Sequence, residues 1–152
     1  MQYSTLLDLF ALGQELTITV SPQKIATISP TATEILYAAG GSAILRDRAS
    51  NYPLEAQALP DVGSAYDPSI ETLVAAGPDL VILEALTQAR FAPILARAGL
   101  EVMGVKAETA EEINKYILKV GKIIGQEEVA SEKVDEINDR LGRVGGSDGR
   151  TV

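Results

Sequence analysis

The sequence predicts an α/β domain: a parallel sheet with helices on both faces. Three observations carry this. Asp79-Leu80-Val81-Ile82-Leu83 is an uninterrupted apolar run following Gly77-Pro78, the pattern of a strand covered on both sides. Strand-like and helix-like stretches alternate along the chain, the order that crossover-connected parallel strands require. Most switches between them are marked by Pro, Gly, Ser or Thr at positions where helices start and stop.

The chain of 152 residues fits one domain, and 46% hydrophobic with 22% charged residues is ordinary for a folded globular protein. A net charge of -8 disfavours phosphate backbones and anionic lipid surfaces, and 5% aromatics with no Trp leave no stacking platform, so no nucleic acid partner is expected. The absence of His and Cys removes the usual zinc, copper and iron–sulfur ligands, the common general base near neutral pH, and any disulfide. No cofactor or metal is implied. Leu6 to Leu12 is apolar, but Asp8 interrupts it and no Lys or Arg precedes it, so no signal peptide is expected in this chain.

Leu16 to Val20 alternates and is rich in β-branched residues, predicting a short edge strand. Lys24 to Ile28 predicts the next strand. A helix follows over 31–39, capped either by Ser29 with Pro30 at the first helical position or by Thr31 with Glu34 in a capping box, and stopped by Gly40-Gly41. Ala43 to Ala49 reads as a strand despite Arg46-Asp47-Arg48, and Ser50 to Pro60 as loop with a helical turn around Leu54 to Ala58. Asp67-Pro68 starts another helix, which Gly77-Pro78 ends. After the strand at 79–83 come a helix over 87–98, stopped by Gly99, and a strand over 101–105. Ile113, Tyr116, Ile117, Val120, Ile123 and Ile124 then recur at helical spacing as far as Gly125. A more charged helix covers Glu127 to Arg143, and Gly145 to Val152 is expected to fray as a disordered tail.

In open parallel sheets, ligands sit at the carboxyl ends of the strands. Ser29, Pro30 and Thr31 place hydroxyls and free backbone N–H groups at such an end, suited to acceptor oxygens on a ligand or simply to capping. Tyr52 and Tyr66 lie in loops beside prolines, where a ring can stack on a flat ligand or plug the edge of the core. The core-edge reading is preferred for Tyr52 and the cleft reading for Tyr66. Glu71 stands in a first helical turn, where the helix dipole favours a carboxylate by ~0.3–1 kcal/mol. Arg46, Arg48 and Arg90 either reach an anionic ligand or are solvated charges. Glu84 to Thr87 forms a further candidate cleft edge.

The order Ile25 to Ile28, Ser29-Pro30-Thr31-Ala32-Thr33-Glu34, Asn51-Tyr52-Pro53, Leu59-Pro60-Asp61-Val62-Gly63, Tyr66-Asp67-Pro68-Ser69-Ile70-Glu71 and Gly77-Pro78-Asp79-Leu80-Val81 resembles the N-terminal lobe of the periplasmic proteins that carry cobalamin, haem or ferric siderophores to ABC importers. The resemblance spans roughly Gly13 to Leu141. It implies a Rossmann-like single lobe of a two-lobe binding protein, non-catalytic and periplasmic or extracytoplasmic, with a metal chelate or corrinoid and an ABC permease as partners. It implies that the Ser29 to Thr31 loop lines the ligand cleft and that Glu71 docks with permease arginines. Ala65 and Ala49 fall where cobalamin binders carry aromatic rings, and Ser64 near where haem binders carry a ligating Tyr. On this resemblance residues 1–126 form the lobe, 127–144 begin an interlobe bridging helix and 145–152 are a tail. A homodimer of the isolated lobe is a further expectation. The alternative is a small flavodoxin-like nucleotide-binding or enzymatic domain, against which stands the absence of G-x-G-x-x-G and P-loop motifs.

Overall fold

A computed structural model describes residues 5–9, 14–18 and 21–147, with side chains described for 21–142. Three short strands, β3 (Ile25–Thr27), β4 (Leu80–Glu84) and β5 (Val102–Val105), form a parallel sheet in that order. Ala26 also bridges Leu45, and Arg46 bridges Asp61, both in parallel, so two further segments extend the sheet beyond β3. An antiparallel hairpin, β1 (Thr5–Leu9) with β2 (Gln14–Ile18), precedes it, Leu7 facing Leu16 in register. The strand expected over 16–20 is thus β2, shifted towards the N-terminus. Thr19 and Val20 lie outside the described residues, and β1 was not anticipated.

Alternation along the strands sorts the core into two compartments. Ile25, Leu80, Ile82, Met103 and Val105 face α1 (Pro30–Ala38), α5 (Ala110–Ile124) and the start of α6 (Glu127–Ser147). Ala26, Ile28, Val81, Leu83 and Val102 face the other way, towards Leu73 of α2 (Ile70–Ala76) and Leu95 of α4 (Ala92–Arg97). Helices therefore cover both faces. Each buried Leu or Ile removed from water contributes roughly 1.5–3 kcal/mol, which explains why the apolar run at β4 is continuous.

Local chemistry sets most boundaries. The Ser29 side chain accepts the Ala32 N–H at 3.1 Å with Pro30 in the first turn, so the first of the two caps envisaged is the one used. Asp67-Pro68 does not begin α2. Ser69 does, accepting the Thr72 N–H at 3.1 Å, while the Asp67 N–H is drawn into a turn on Ser64 O. The helix expected over 87–98 is instead three pieces: α3 (Ala85–Gln88), a 3-10 turn (Ala89–Phe91) and α4. Pro93 has no N–H and its ring crowds the carbonyl four residues back, so a continuous helix cannot pass it.

The strand expected over 43–49 is reduced to bridges at Leu45 and Arg46. Asp47 ends it: its Oδ2 accepts the Ala49 N–H at 3.0 Å, turning the backbone out of the ladder. The turn over Leu54–Ala58 is a 3-10 helix. α6 continues to Ser147, three residues into the stretch read as a tail, and residues 148–152 lie outside the described residues. Ala130 and Val134 of α6 are buried, whereas 138–142 are all exposed, so the core contacts of its described side chains lie in its first half.

Asp79 clips β3 to β4 at their amino ends. Its Oδ2 accepts the N–H groups of Gln23 and Lys24, both at 2.9 Å, and its own N–H donates to Lys24 O at 2.7 Å. The two backbone donors hold its carboxyl below the ordinary value of 3.8. A lowered folded-state pKa means that the clip's stabilisation is complete above that ordinary value and is lost as pH falls through the folded-state one. Asp79→Ala therefore lowers the urea midpoint at pH 7 and narrows its gap to the parent below pH 4. A gap that stays constant from pH 7 to pH 2.5 contradicts this.

Candidate functional site

Buried side chains help to hold the loops that meet the carboxyl ends of β3 and β4. Behind the first turn of α1, Thr27 Oγ1 meets Thr33 Oγ1 at 2.6 Å and Thr33 Oγ1 meets Ser50 Oγ at 2.8 Å. Ser50 Oγ donates in turn to Asp47 Oδ1. All four residues are buried, so this polar chain fixes the segment leading to Tyr52 against α1. Arg46 completes the brace: its guanidinium donates to the carbonyls of Leu59, Arg48, Ser50 and Gln57. That use corrects the reading of Arg46 as a ligand-binding cation, since its donors are directed at the loop itself.

On the other side, Gln88 is 1% exposed and bonds three chain segments. Its Nε2 donates to Ile28 O and to Ala65 O, both at 2.7 Å, and its Oε1 accepts the Glu84 N–H at 2.9 Å. Glu84 caps α3 through one carboxylate oxygen, which accepts from both Thr87 N and Thr87 Oγ1 at 2.9 Å. Arg90 donates to Tyr66 O at 3.0 Å and Thr87 O at 2.6 Å, with its guanidinium 4.5 Å from the Phe91 ring centre. Arg90 too serves the loop.

What these braces present outward is apolar. Tyr52, Tyr66 and Leu86 are 69%, 77% and 57% exposed, an orientation that costs burial energy for each ring or branched side chain. The reading of Tyr52 as a plug for the core edge is corrected: the polar chain beneath it fills that space. Tyr52 instead borders a groove of about 360 Å³ with Thr31, Ile35, Ala107, Ile113 and Ile137, which Glu34, Lys133 and Arg140 also line. Ser29 is buried and its hydroxyl is engaged in the helix cap, so Thr31 is the hydroxyl residue of this turn that lines the groove. Pro30 is half-buried beside it. Ala65 and Ser64 are half-buried, Ala49 and Arg48 exposed. Glu71 is exposed in the first turn of α2.

Thr31 and Tyr52 therefore share one groove, Ala65 and Glu84 are joined through Gln88, and Tyr66 is tied to them through Arg90. Asp47 and Gln88, which organise the two halves, were not singled out from sequence. An Asp within a strand-like run, able to accept the N–H two residues on in an Asx turn, is a signal that finds the first. A lone amide just beyond a buried strand end is a weaker signal for the second. Among the described residues no group of three or more acidic side chains could hold a metal ion, and no helix is long and apolar enough to cross a membrane.

Comparison with known proteins agrees with this architecture. The family model described as Periplasmic binding protein matches residues 25–147. The vitamin B12-binding protein of Salmonella typhimurium is 33% identical over 110 residues, covering 72% of this chain and 41% of that protein. The uncharacterized ABC transporter substrate-binding lipoprotein YvrC of Bacillus subtilis is 29% identical over 137 residues, covering 86% of this chain and 43% of the relative. Among solved structures, the periplasmic vitamin B12 binding protein BtuF of Vibrio cholerae superposes with a TM-score of 0.75 at 26% identity, over 84% of this chain and 51% of that one. The chain spans about half the length of the relatives it matches.

Proposed function

The chain belongs to the periplasmic binding protein family, and on that premise we propose that it is the N-terminal ligand-binding lobe of an ABC-importer substrate-binding protein. Its cargo is a metal chelate or corrinoid: cobalamin, a ferric siderophore or haem. It holds that cargo without transforming it, and works outside the cytoplasmic membrane with an ABC permease. The observation that carries this reading is the rim of exposed Tyr52, Tyr66 and Leu86 on loops braced from beneath by buried hydrogen bonds. Loops held in place before the ligand arrives are suited to presenting rings to a flat or macrocyclic cargo, because the cost of ordering their backbone has been met in folding.

The two halves of the wall divide the work. Thr31, at the start of α1, faces acceptor oxygens, and Tyr52 and Tyr66 take the apolar face of the ligand. Ala65 and Glu84 hold the wall's shape more than its chemistry. Glu71, exposed at the start of α2 and favoured there by the helix dipole, is the docking carboxylate for arginines of the permease. The apolar groove beside α6 is the surface on which a second lobe or a second copy of the chain completes the enclosure.

Thermal-shift measurements with cyanocobalamin, cobinamide, haemin, ferric siderophores and FMN test the reading. A corrinoid or chelate at 100 times its Kd stabilises the folded state by about 2.7 kcal/mol. Stabilisation by FMN alone favours the nucleotide-binding alternative, and no shift with any of them removes the ligand-binding role. Glu71→Ala is expected to weaken capture by the detergent-solubilised permease while leaving ligand affinity within about twofold. Loss of ligand affinity in that variant would move Glu71 from the docking surface into the cleft.

A further inference from the structure

We infer that Gln88 is a positioning residue: its buried carboxamide fixes the 64–67 loop, and with it Tyr66, against the ends of β3 and β4. The role in a ligand wall rests on the function proposed above, but the clasp itself does not. Both Nε2 hydrogens are used, on Ile28 O and Ala65 O at 2.7 Å, and Oε1 takes the Glu84 N–H at 2.9 Å. These partners settle the orientation of the amide, because turning it over would set an oxygen against two carbonyls and an N–H group against an N–H group. Three segments far apart in sequence meet on one side chain: the end of β3, the loop before α2 and the end of β4.

The loop has few other ties. Among the described residues its own backbone N–H groups bond locally, Tyr66 N to Ser64 Oγ and Asp67 N to Ser64 O, both at 3.1 Å, while at its flanks Ser69 N donates to Val62 O at 2.8 Å and Arg48 N to Gly63 O at 2.7 Å. Arg90 adds a second long-range tie at Tyr66 O, but Arg90 is exposed and its bond competes with water. Gln88 is 1% exposed, and a carbonyl that loses its donor there is left without solvent to replace it. Glu84 places the clasp: by capping α3 through Thr87 it sets the turn on which Gln88 reaches back. The exposed Tyr66 ring thus stands on a loop whose long-range fixing comes from the segment after β4.

The test is hydrogen exchange of the full chain, without ligand, in Gln88→Glu and Gln88→Met. Both substitutions approximate the volume of Gln88. Ionised Glu has no donor and sets oxygen against two carbonyls, and Met removes the donors without adding charge. The expected result is exchange about tenfold faster across 64–69 in both variants, the equivalent of losing one to two net hydrogen bonds, with the β4 amides of 80–83 keeping near-parent protection. Parent-like protection across 64–69 overturns the inference. So does an equal loss at β4 and 64–69, which would make Gln88 a core filler and no more. Should the Glu variant fail to fold, the Met variant decides. Because no ligand enters the measurement, failure of the thermal-shift panel and failure of the clasp are separate results.

Discussion

Gly121→Ala lowers the stability of this protein by about 1–3 kcal/mol, the cost of overpacking a filled site, measured as a fall in the urea midpoint at unchanged slope. A Cβ at Gly121 would stand 2.4 Å from the Ala130 Cβ and 3.2 Å from Gln126 O. Neither neighbour can yield easily. α5 and α6 are joined through Gly125, at φ +75°, and Gln126, whose N–H donates to Gly121 O at 2.7 Å while its carbonyl accepts from Ala130 at 3.0 Å. Moving Ala130 away therefore means moving the start of α6 and breaking the bonds that set its direction. In an open helix the same exchange gains ~1 kcal/mol from helix propensity, so the expected sign is the reverse of the generic one. Gly142 supplies the control: nothing lies within 4 Å of a Cβ built there, and Gly142→Ala is expected to stabilise. Gain of stability in Gly121→Ala would show that the two helices are not in close contact.

Asp47→Ala is expected to cost about 1–3 kcal/mol, because the part-buried Ala49 N–H and the buried Ser50 hydroxyl both lose this acceptor. The Ala49 N–H at 3.0 Å and the Ser50 hydroxyl both end on this carboxylate, which is 0% exposed. Ser50 in turn meets Thr33, so the loss propagates to the bond between this loop and α1. Asp47→Asn should cost less: its oxygen can still accept from Ala49 while its amide donates to Ser50 Oγ, freeing that hydroxyl for Thr33. Urea unfolding of the two variants orders them, parent above Asn above Ala. A loss below about 0.5 kcal/mol in Asp47→Ala, the range of ordinary surface changes, refutes the bracing role.

Sequence discloses what is local. The β4 run, the Ser29 cap with Pro30, the apolar stripe of α5 and the stop at Gly125 depend on neighbours within a few residues, and each takes the expected form. The parallel sheet with helices on both faces follows from their alternation, and the family follows from the ordered loop motifs. What local pattern does not disclose is partnership at a distance. Asp47 reads as a break in a strand until Ser50 and Thr33 are seen beside it, and Gln88 is 60 residues from the Ile28 carbonyl it serves. Arg46 and Arg90 mislead for the same reason: a guanidinium looks free until the carbonyls around it are known. Two local signals are misread: Pro93, whose fixed geometry already forbids an unbroken helix over 87–98, and Ser69, the cap that begins α2 in place of Asp67-Pro68.

The sheet also separates what must be kept from what can change. Tyr52, Tyr66 and Leu86 belong to neither apolar compartment, whose members lie among the strands and the inner faces of the helices. Exchanging these three for other side chains removes little that the folded state depends on, while it rewrites the rim proposed to meet a cargo. A scaffold arranged this way lets recognition drift at small thermodynamic penalty, so that carriers for chemically unlike cargoes can descend from one ancestor by substitutions at its rim.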